Sequence, residues 1–221
     1  MSIMAPLLAT NPAGPRLTVY DEVAGTRMEF SALTLDNWAC KVANMLDEEF
    51  ELEPDAVILL DLPVSWQAAV IALGTYNSSR TPLFDAPEGA TPDLVFTTMD
   101  GAQAWSGIPD VVVVSADPFG RGVVESGGEL PEGTVDFGPT VRFYGDTYFG
   151  DSPDLGRWAD ADLGPHRYLA DAWRGREDIE KRILAPLAAD GSVVVVAGMA
   201  SAERLRAIAD KENVTHFLTH G

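Results

Sequence analysis

The sequence predicts an α/β protein, an open and mostly parallel sheet flanked by helices. Three observations carry that prediction. The first is the stretch 57–87, VILLDLPVSWQAAVIALGTYNSSRTPLFDAP, where a continuous apolar run, a helix opening at Ser65 and a second strand ending at Pro87 follow one another. The second is the return of short apolar runs at Asp93–Thr97, Val111–Ser115 and Val193–Ala197. Such runs fit strands covered on both faces. The third is helical periodicity between runs, which makes strand–helix–strand the repeating unit, a right-handed parallel crossover.

Taken in order, residues 1–15 hold a short apolar piece and then Asn-Pro-Ala-Gly-Pro, which fits a lead-in helix or a loose arm. Leu17–Tyr20 and Met28–Phe30 flank a bend containing Gly25 and predict a β-hairpin. Ser31 is placed to cap a helix whose face carries Leu35, Trp38, Ala39, Val42, Met45 and Leu46. The acidic run Asp47–Glu49 lies where the helix dipole disfavours it and reads as a solvent-exposed, fraying end, not a metal site.

Val57–Leu62 predicts a strand. Ser65 caps the next helix, whose buried stripe is Trp66, Ala69, Val70, Leu73 and Tyr76, and Thr81–Phe84 is the following strand. Met99–Trp105 reads as a short helix and Asp117–Glu132 as a surface loop. Val135–Phe137 and Val141–Phe143 fit short strands, and Tyr168–Leu187 reads as helical. Gly145–Pro165 is rich in Asp, Gly and Pro and reads as an acidic loop or lid, or the scar of a deletion. Asp190-Gly191 turns into a strand, Ser201 caps a last helix, and Thr215–Leu218 fits a last strand.

A chain of 221 residues matches one α/β domain, so a single domain over 1–221 is expected, with 145–165 inside it. Thirty-four Asp plus Glu against 15 Lys plus Arg give a formal charge of −19. That excess repels phosphate backbones and anionic lipid, which argues against nucleic-acid or membrane-surface partners. The single cysteine, Cys40, rules out an intrachain disulfide and reads as a buried structural thiol. The first residues lack the pattern of a signal peptide, and no run approaches the ~20 apolar residues of a membrane helix. A cytoplasmic location is expected.

Catalytic motifs are missing from the chain. It has no GxGxxG after a strand, no GxxxxGK[ST] and no GxSxG. His216 and His220 are four apart, but in a strand their imidazoles would stand ~13 Å apart, and no third ligand completes a metal site. His166 reads as a loop histidine. No catalytic residue and no metal ligand is assigned. The candidate cofactor-binding residues are Asp117, Gly120 and Arg121, in a compact loop after a strong strand where open α/β sheets bind ligands. A turn stabilised by Asp117 is the competing reading of the same loop. Trp158, Tyr168 and Trp173 are set down as packing aromatics in preference to pocket residues.

The order of the segments resembles a known family. Phe30-Ser31 leads into a helix, then come 53–60 (EPDAVILL), 62–66 (LPVSW), Leu73-Gly74 and Thr81-Pro82-Leu83. This is similar to the opening of the adenylate-forming superfamily of acyl-CoA synthetases, luciferases and peptide-synthetase adenylation domains. Residues 184–197 (LAPLAADGSVVVVA) and 201–215 (SAERLRAIADKENVT) resemble later segments of the same domain. Pro54 stands where the family has the Gly of a Gly-Asp pair, and Ser78-Ser79 where it has Ala-Gly. Nothing in Gly145–Arg182 resembles the family's phosphate loop, roughly YTSGTTGxPKG. The chain also stops before the family's ribose-binding Asp and its C-terminal domain with the catalytic Lys. No functional residue of the family can therefore be carried over.

The chain most resembles a short actinobacterial family distantly related to the N-terminal domain of these AMP-binding enzymes, a resemblance that brings no assigned activity with it. It implies a degenerate, non-adenylating relative that serves as a ligand-binding or protein-interaction module, with no cofactor. The partner is then a small molecule or another protein. The alternative is a divergent acyl-activating enzyme, acyl-CoA synthetase-like, for which ATP or AMP would be the cofactor. A third reading is a structural subunit whose acidic surface meets a basic partner.

Overall fold

The computed structural model describes residues 2–86, 89 and 91–218. In chain order the elements are α1 (Ala5–Thr10), β1 (Pro15–Asp21), β2 (Thr26–Ser31), α2 (Ala32–Glu48), β3 (Ile58–Asp61), α3 (Trp66–Asn77), β4 (Pro82–Leu83), β5 (Leu94–Thr97), β6 (Asp110–Val113), β7 (Val135–Asp136) and α4 (Phe137–Phe143). They continue with β8 (Arg167–Asp171), α5 (Arg176–Ile179), a π-helical turn (Glu180–Leu184), α6 (Ala185–Ala188), β9 (Ser192–Ala197), α7 (Ala202–Lys211) and β10 (His216–Leu218). The α/β class with helix-flanked parallel strands is the one the sequence predicts. The strands are shared between two five-stranded sheets. The chain divides into two compact units, one built from Asn37–Pro63 and Gln67–Pro153, the other from Ile3–Asp36, Val64–Trp66 and the chain from Asp154 onward.

In the first unit the strand order is β4-β3-β5-β6-β7, and every pair is parallel. Ile58–Leu60, Leu94–Phe96 and Val111–Val113 are all buried. That is the two-sided burial their apolar runs imply. Helix α3 is buried on every side and not along one stripe: Ala68, Ile71 and Ala72 are buried beside the expected stripe, and so are the polar Gln67, Thr75 and Asn77. Gly74 is the point of close approach to α2. A Cβ there would lie 2.3 Å from Cβ of Val42.

Three expectations in this unit are corrected. Val141–Phe143 belongs to helix α4, since β7 ends at Asp136 and Val141 turns inward behind Phe137. Met99–Trp105 forms only a 3-10 turn, Ala102–Trp105. The acidic end of α2 is solvent-exposed at Glu48 and Glu49, as expected, but it is tied down and not loose. Asp47 accepts from Arg80 Nη1 and from Tyr148 Oη, both at 2.7 Å, and Glu49 accepts from Tyr144 Oη. Buried Arg80 also donates to the carbonyls of Leu52 and Glu53, so of the acids that oppose the helix dipole Asp47 is neutralised by a guanidinium folded onto it. The Pro87 end expected for the fourth strand lies outside the described residues.

In the second unit the order is β10-β8-β9-β1-β2. β1 and β2 form the expected hairpin, antiparallel, and the remaining pairs are parallel. Ser31 Oγ accepts from Thr34 N at 3.2 Å, so the cap read from the sequence forms. The helix expected from Tyr168 starts later. Residues 167–171 are strand β8, inserted between β9 and β10, with Tyr168, Leu169 and Ala170 buried. Strand pairing on both edges outweighs the helical phase shared with the apolar residues after Asp171.

Candidate ligand-binding cavity

β8 and β9 are neighbours whose connections leave in opposite directions. β8 runs through α5 and α6 to β9 on one side, and β9 runs through α7 to β10, on the far side of β8. Adjacent strands with diverging connections form a topological switch point, and a crevice opens beyond their carboxyl ends. Helix α7 covers the sheet face that bears Tyr20, Leu169, Val194 and Val196, packing Ile208 and Ala209 against it.

The crevice holds a cavity of about 500 Å³. Leu169, Ala170, Val196 and Leu205 give it apolar walls. The loop after β8 adds Asp171, Trp173 and Arg174, and the loop after β9 adds Gly198, Met199 and Ala200. Both loops are anchored. Arg182, largely buried, donates to the carbonyl of Ala172 at 3.1 Å and pairs with Asp178, whose carboxylate accepts from Arg174 N at 2.9 Å. On the other side Ser201 Oγ caps α7 by accepting from Arg204 N at 3.1 Å, and the Arg204 guanidinium clasps Glu22 at 2.8 and 2.9 Å. Gly198 has φ +87° and leaves β9 in a conformation that side chains rarely adopt.

Arg174 decides the chemistry of the mouth. It is exposed, and its guanidinium makes no hydrogen bond or ion pair with any described residue. Eleven of the other cations are ion-paired within this acidic chain: Arg16, Arg27, Lys41, Arg80, Arg121, Arg142, Arg167, Arg176, Lys181, Arg182 and Arg204. A free guanidinium beside an apolar cavity offers a fork of donors to an anion. The lining holds no histidine, cysteine, serine or threonine. What the cavity provides is therefore shape, apolar wall surface, the unpaired guanidinium of Arg174 and one carboxylate, that of Asp171.

The first unit treats its own crevice differently. There β3 connects to β4 on one side and β5 connects to β6 on the other, so β3 and β5 form a second switch point. Trp105 Nε1 donates to Asp61 Oδ2 at 2.7 Å and Thr97 Oγ1 donates to the same oxygen at 3.3 Å, so side chains bridge the strand ends there.

The residues singled out in the sequence are dispersed. Arg121 is paired with Asp117 at 2.8 Å, and Asp117 also accepts from the backbone N–H groups of Phe119 and Arg121, which holds its carboxyl below the usual range against the cost of desolvation. Gly120 has φ +72°, as the turn requires. Gly122 N donates to Glu125, and Val123 N and Val124 N donate to Asp136. An incoming anion would have to displace three carboxylates from this loop. Asp117, Gly120 and Arg121 lie in the first unit, and the cavity lies wholly in the second.

Cys40 is buried. His166 and His216 stack with ring centroids 4.0 Å apart, and His220 lies outside the described residues. Of the three aromatics, Tyr168 is core, Trp158 lies under the Arg157 guanidinium, and Trp173 lines the cavity while 5% exposed. Arg174 was missed because a lone arginine in a Trp-Arg-Gly turn carries no motif. Its signal is the scarcity of unpaired cations, which needs coordinates.

Among the described residues no helix is long and apolar enough to cross a membrane. No family model matches the chain. A protein of Mycobacterium tuberculosis described as a TIGR03089 family protein is 34% identical over 245 residues, covering 98% of this chain and 96% of that protein. The chain belongs to the TIGR03089 family. Solved structures place the family's fold. The acyl-CoA synthetase of Brucella canis matches 99% of the chain with a TM-score of 0.77 at 14% identity. The acetoacetyl-CoA synthetase of Streptomyces lividans matches 99% at 0.73 and 15%, and apo MatB of Rhodopseudomonas palustris 98% at 0.65 and 14%. The chain spans 47%, 42% and 49% of those three chains, about half their length. The TIGR03089 chain is thus a short relative of the acyl-CoA synthetase-like fold.

Proposed function

We propose that the chain is a small-molecule-binding module that does not adenylate its ligand. It takes a compact organic anion with an apolar body into the cavity between the ends of β8 and β9. The observation that carries this reading is the unpaired Arg174 at the mouth of a cavity of about 500 Å³ whose walls are apolar at Leu169, Val196 and Leu205. A ligand of that class places its body on Leu169, Val196, Leu205 and Trp173 and its anionic group at Arg174. The fold neighbours are named for acyl-CoA synthesis, which makes short carboxylic acids the first compounds to test.

The non-adenylating half of the reading is supported by the sequence between Gly145 and Arg182. An Asp-rich segment stands where the resemblance would put a Ser/Thr/Gly phosphate loop, and carboxylates repel a triphosphate. Calorimetric titration with phenylacetate and 4-methylvalerate, beside ATP–pyrophosphate exchange with the same acids, tests both halves. Saturable binding that falls about tenfold in Arg174→Gln, without exchange activity, is expected. Clean acid-dependent exchange would overturn the reading in favour of the acyl-activating alternative.

A further inference from the structure

We propose that Met199 is an oxidation site that regulates the cavity: its thioether is converted by a peroxide to the sulfoxide, which weakens binding of the anionic ligand. The regulatory part rests on the binding reading above. The choice of residue rests on exposure. Met199 is 99% exposed, while Met99 is 38% exposed, Met28 is half-buried, and Met4 and Met45 are fully buried. Methionine oxidation follows access, so among the methionines of the described residues a peroxide reaches Met199 first.

The position gives the modification a consequence. Met199 is the second residue after β9, on the rim of the cavity that Arg174 shares. In the reaction the sulfur lone pair attacks a peroxide oxygen. The S–O bond forms, the O–O bond breaks, and water leaves, so the sulfur loses two electrons and the peroxide gains them. A flexible apolar side chain becomes a polar one with a strong acceptor oxygen. That oxygen is placed on the same rim as a guanidinium with no other described partner. It competes with the ligand anion for Arg174 and adds a polar group to an apolar entrance.

The test uses the full chain, graded hydrogen peroxide and peptide mass spectrometry. Met199 is expected to oxidise about fivefold or more faster than Met99. Two readouts are taken on the same samples. Phenylglyoxal labelling of Arg174, which needs no ligand, is expected to slow by about threefold once Met199 is oxidised. The phenylacetate Kd is expected to rise by about tenfold, and Met199→Leu is expected to keep its affinity and Arg174 reactivity through the same peroxide treatment. Equal oxidation of Met199 and Met99, or unchanged Arg174 labelling in protein oxidised at Met199, overturns the proposal. An unchanged phenylacetate Kd after oxidation overturns it as well. Selective oxidation and slowed labelling in a protein that never binds phenylacetate would instead sink the binding reading, leaving the oxidation site and its effect on Arg174 standing.

Discussion

Arg27 Nε lies 2.7 Å from Glu212 Oε1, joining the hairpin strand β2 to the C-terminal end of α7. Tyr20 Oη donates to the same oxygen at 2.6 Å, and Arg167 Nη2 donates to Oε2 at 2.7 Å. The Glu212 side chain is 5% exposed, so removing its charge leaves two guanidinium groups facing a neutral, buried acceptor. Arg27 chiefly, by hydrogen bonding, holds the Glu212 carboxyl at about 2, against an ordinary value of 4.5, and Tyr20 and Arg167 add to it. The folded value is the depressed one, so this stabilisation is complete above pH 4.5 and is lost as the pH falls towards 2. Urea unfolding across that window is expected to show an acid limb on the order of 2–3 kcal/mol that flattens in Glu212→Gln. An unchanged limb in the variant would remove Glu212 as its source.

Gly74→Ala is expected to destabilise the protein even though alanine favours helices. The new Cβ would sit 2.3 Å from Val42 Cβ and 3.1 Å from the carbonyl of Ala39, and neither is the loose end of a flexible side chain. Overpacking of this kind costs about 1–3 kcal/mol, which exceeds the ~1 kcal/mol gain in helix propensity. Adding Val42→Ala is expected to recover part of the loss, which a double-mutant cycle in urea reads directly.

Arg80→Lys tests whether the acidic end of α2 depends on a fork of donors or on charge alone. Arg80 reaches Asp47, Glu53 O and Leu52 O from three nitrogens while 6% exposed. A lysine keeps the charge but leaves at least one buried carbonyl without its donor, at about 2 kcal/mol. Thermal unfolding of the variant at the stability of the wild type would show that charge suffices.

These cases also show what the sequence could and could not convey. Local patterns were legible where a short run settles its own structure. The bend at Gly25, the caps at Ser31 and Ser201, and the apolar runs of β3, β5 and β9 all formed as their residues imply. Misreadings fell where a distant partner decides. Tyr168–Asp171 shares a helical phase with the residues after it, and pairing with β9 and β10 makes it a strand. Asp47 looks like an exposed acid until Arg80, thirty-three residues later, folds onto it. The cavity is a product of strand order: β8 and β9 become neighbours with diverging connections, and no local motif encodes that. Trp173 was visible as an aromatic near a turn, but its place in the wall depends on Arg182 and Asp178 holding the loop after β8.

The central claim is that Arg174 anchors an anion at the mouth of the cavity between the ends of β8 and β9. The most direct measurement is calorimetric titration of phenylacetate and of its uncharged amide against the wild type, Arg174→Gln and the cavity-filling Ala200→Trp. The account predicts saturable binding of the acid and about tenfold weaker binding of the amide. It predicts a similar loss for the acid in Arg174→Gln and no binding in Ala200→Trp. Equal affinity for acid and amide, or acid binding that survives both substitutions unchanged, would contradict it.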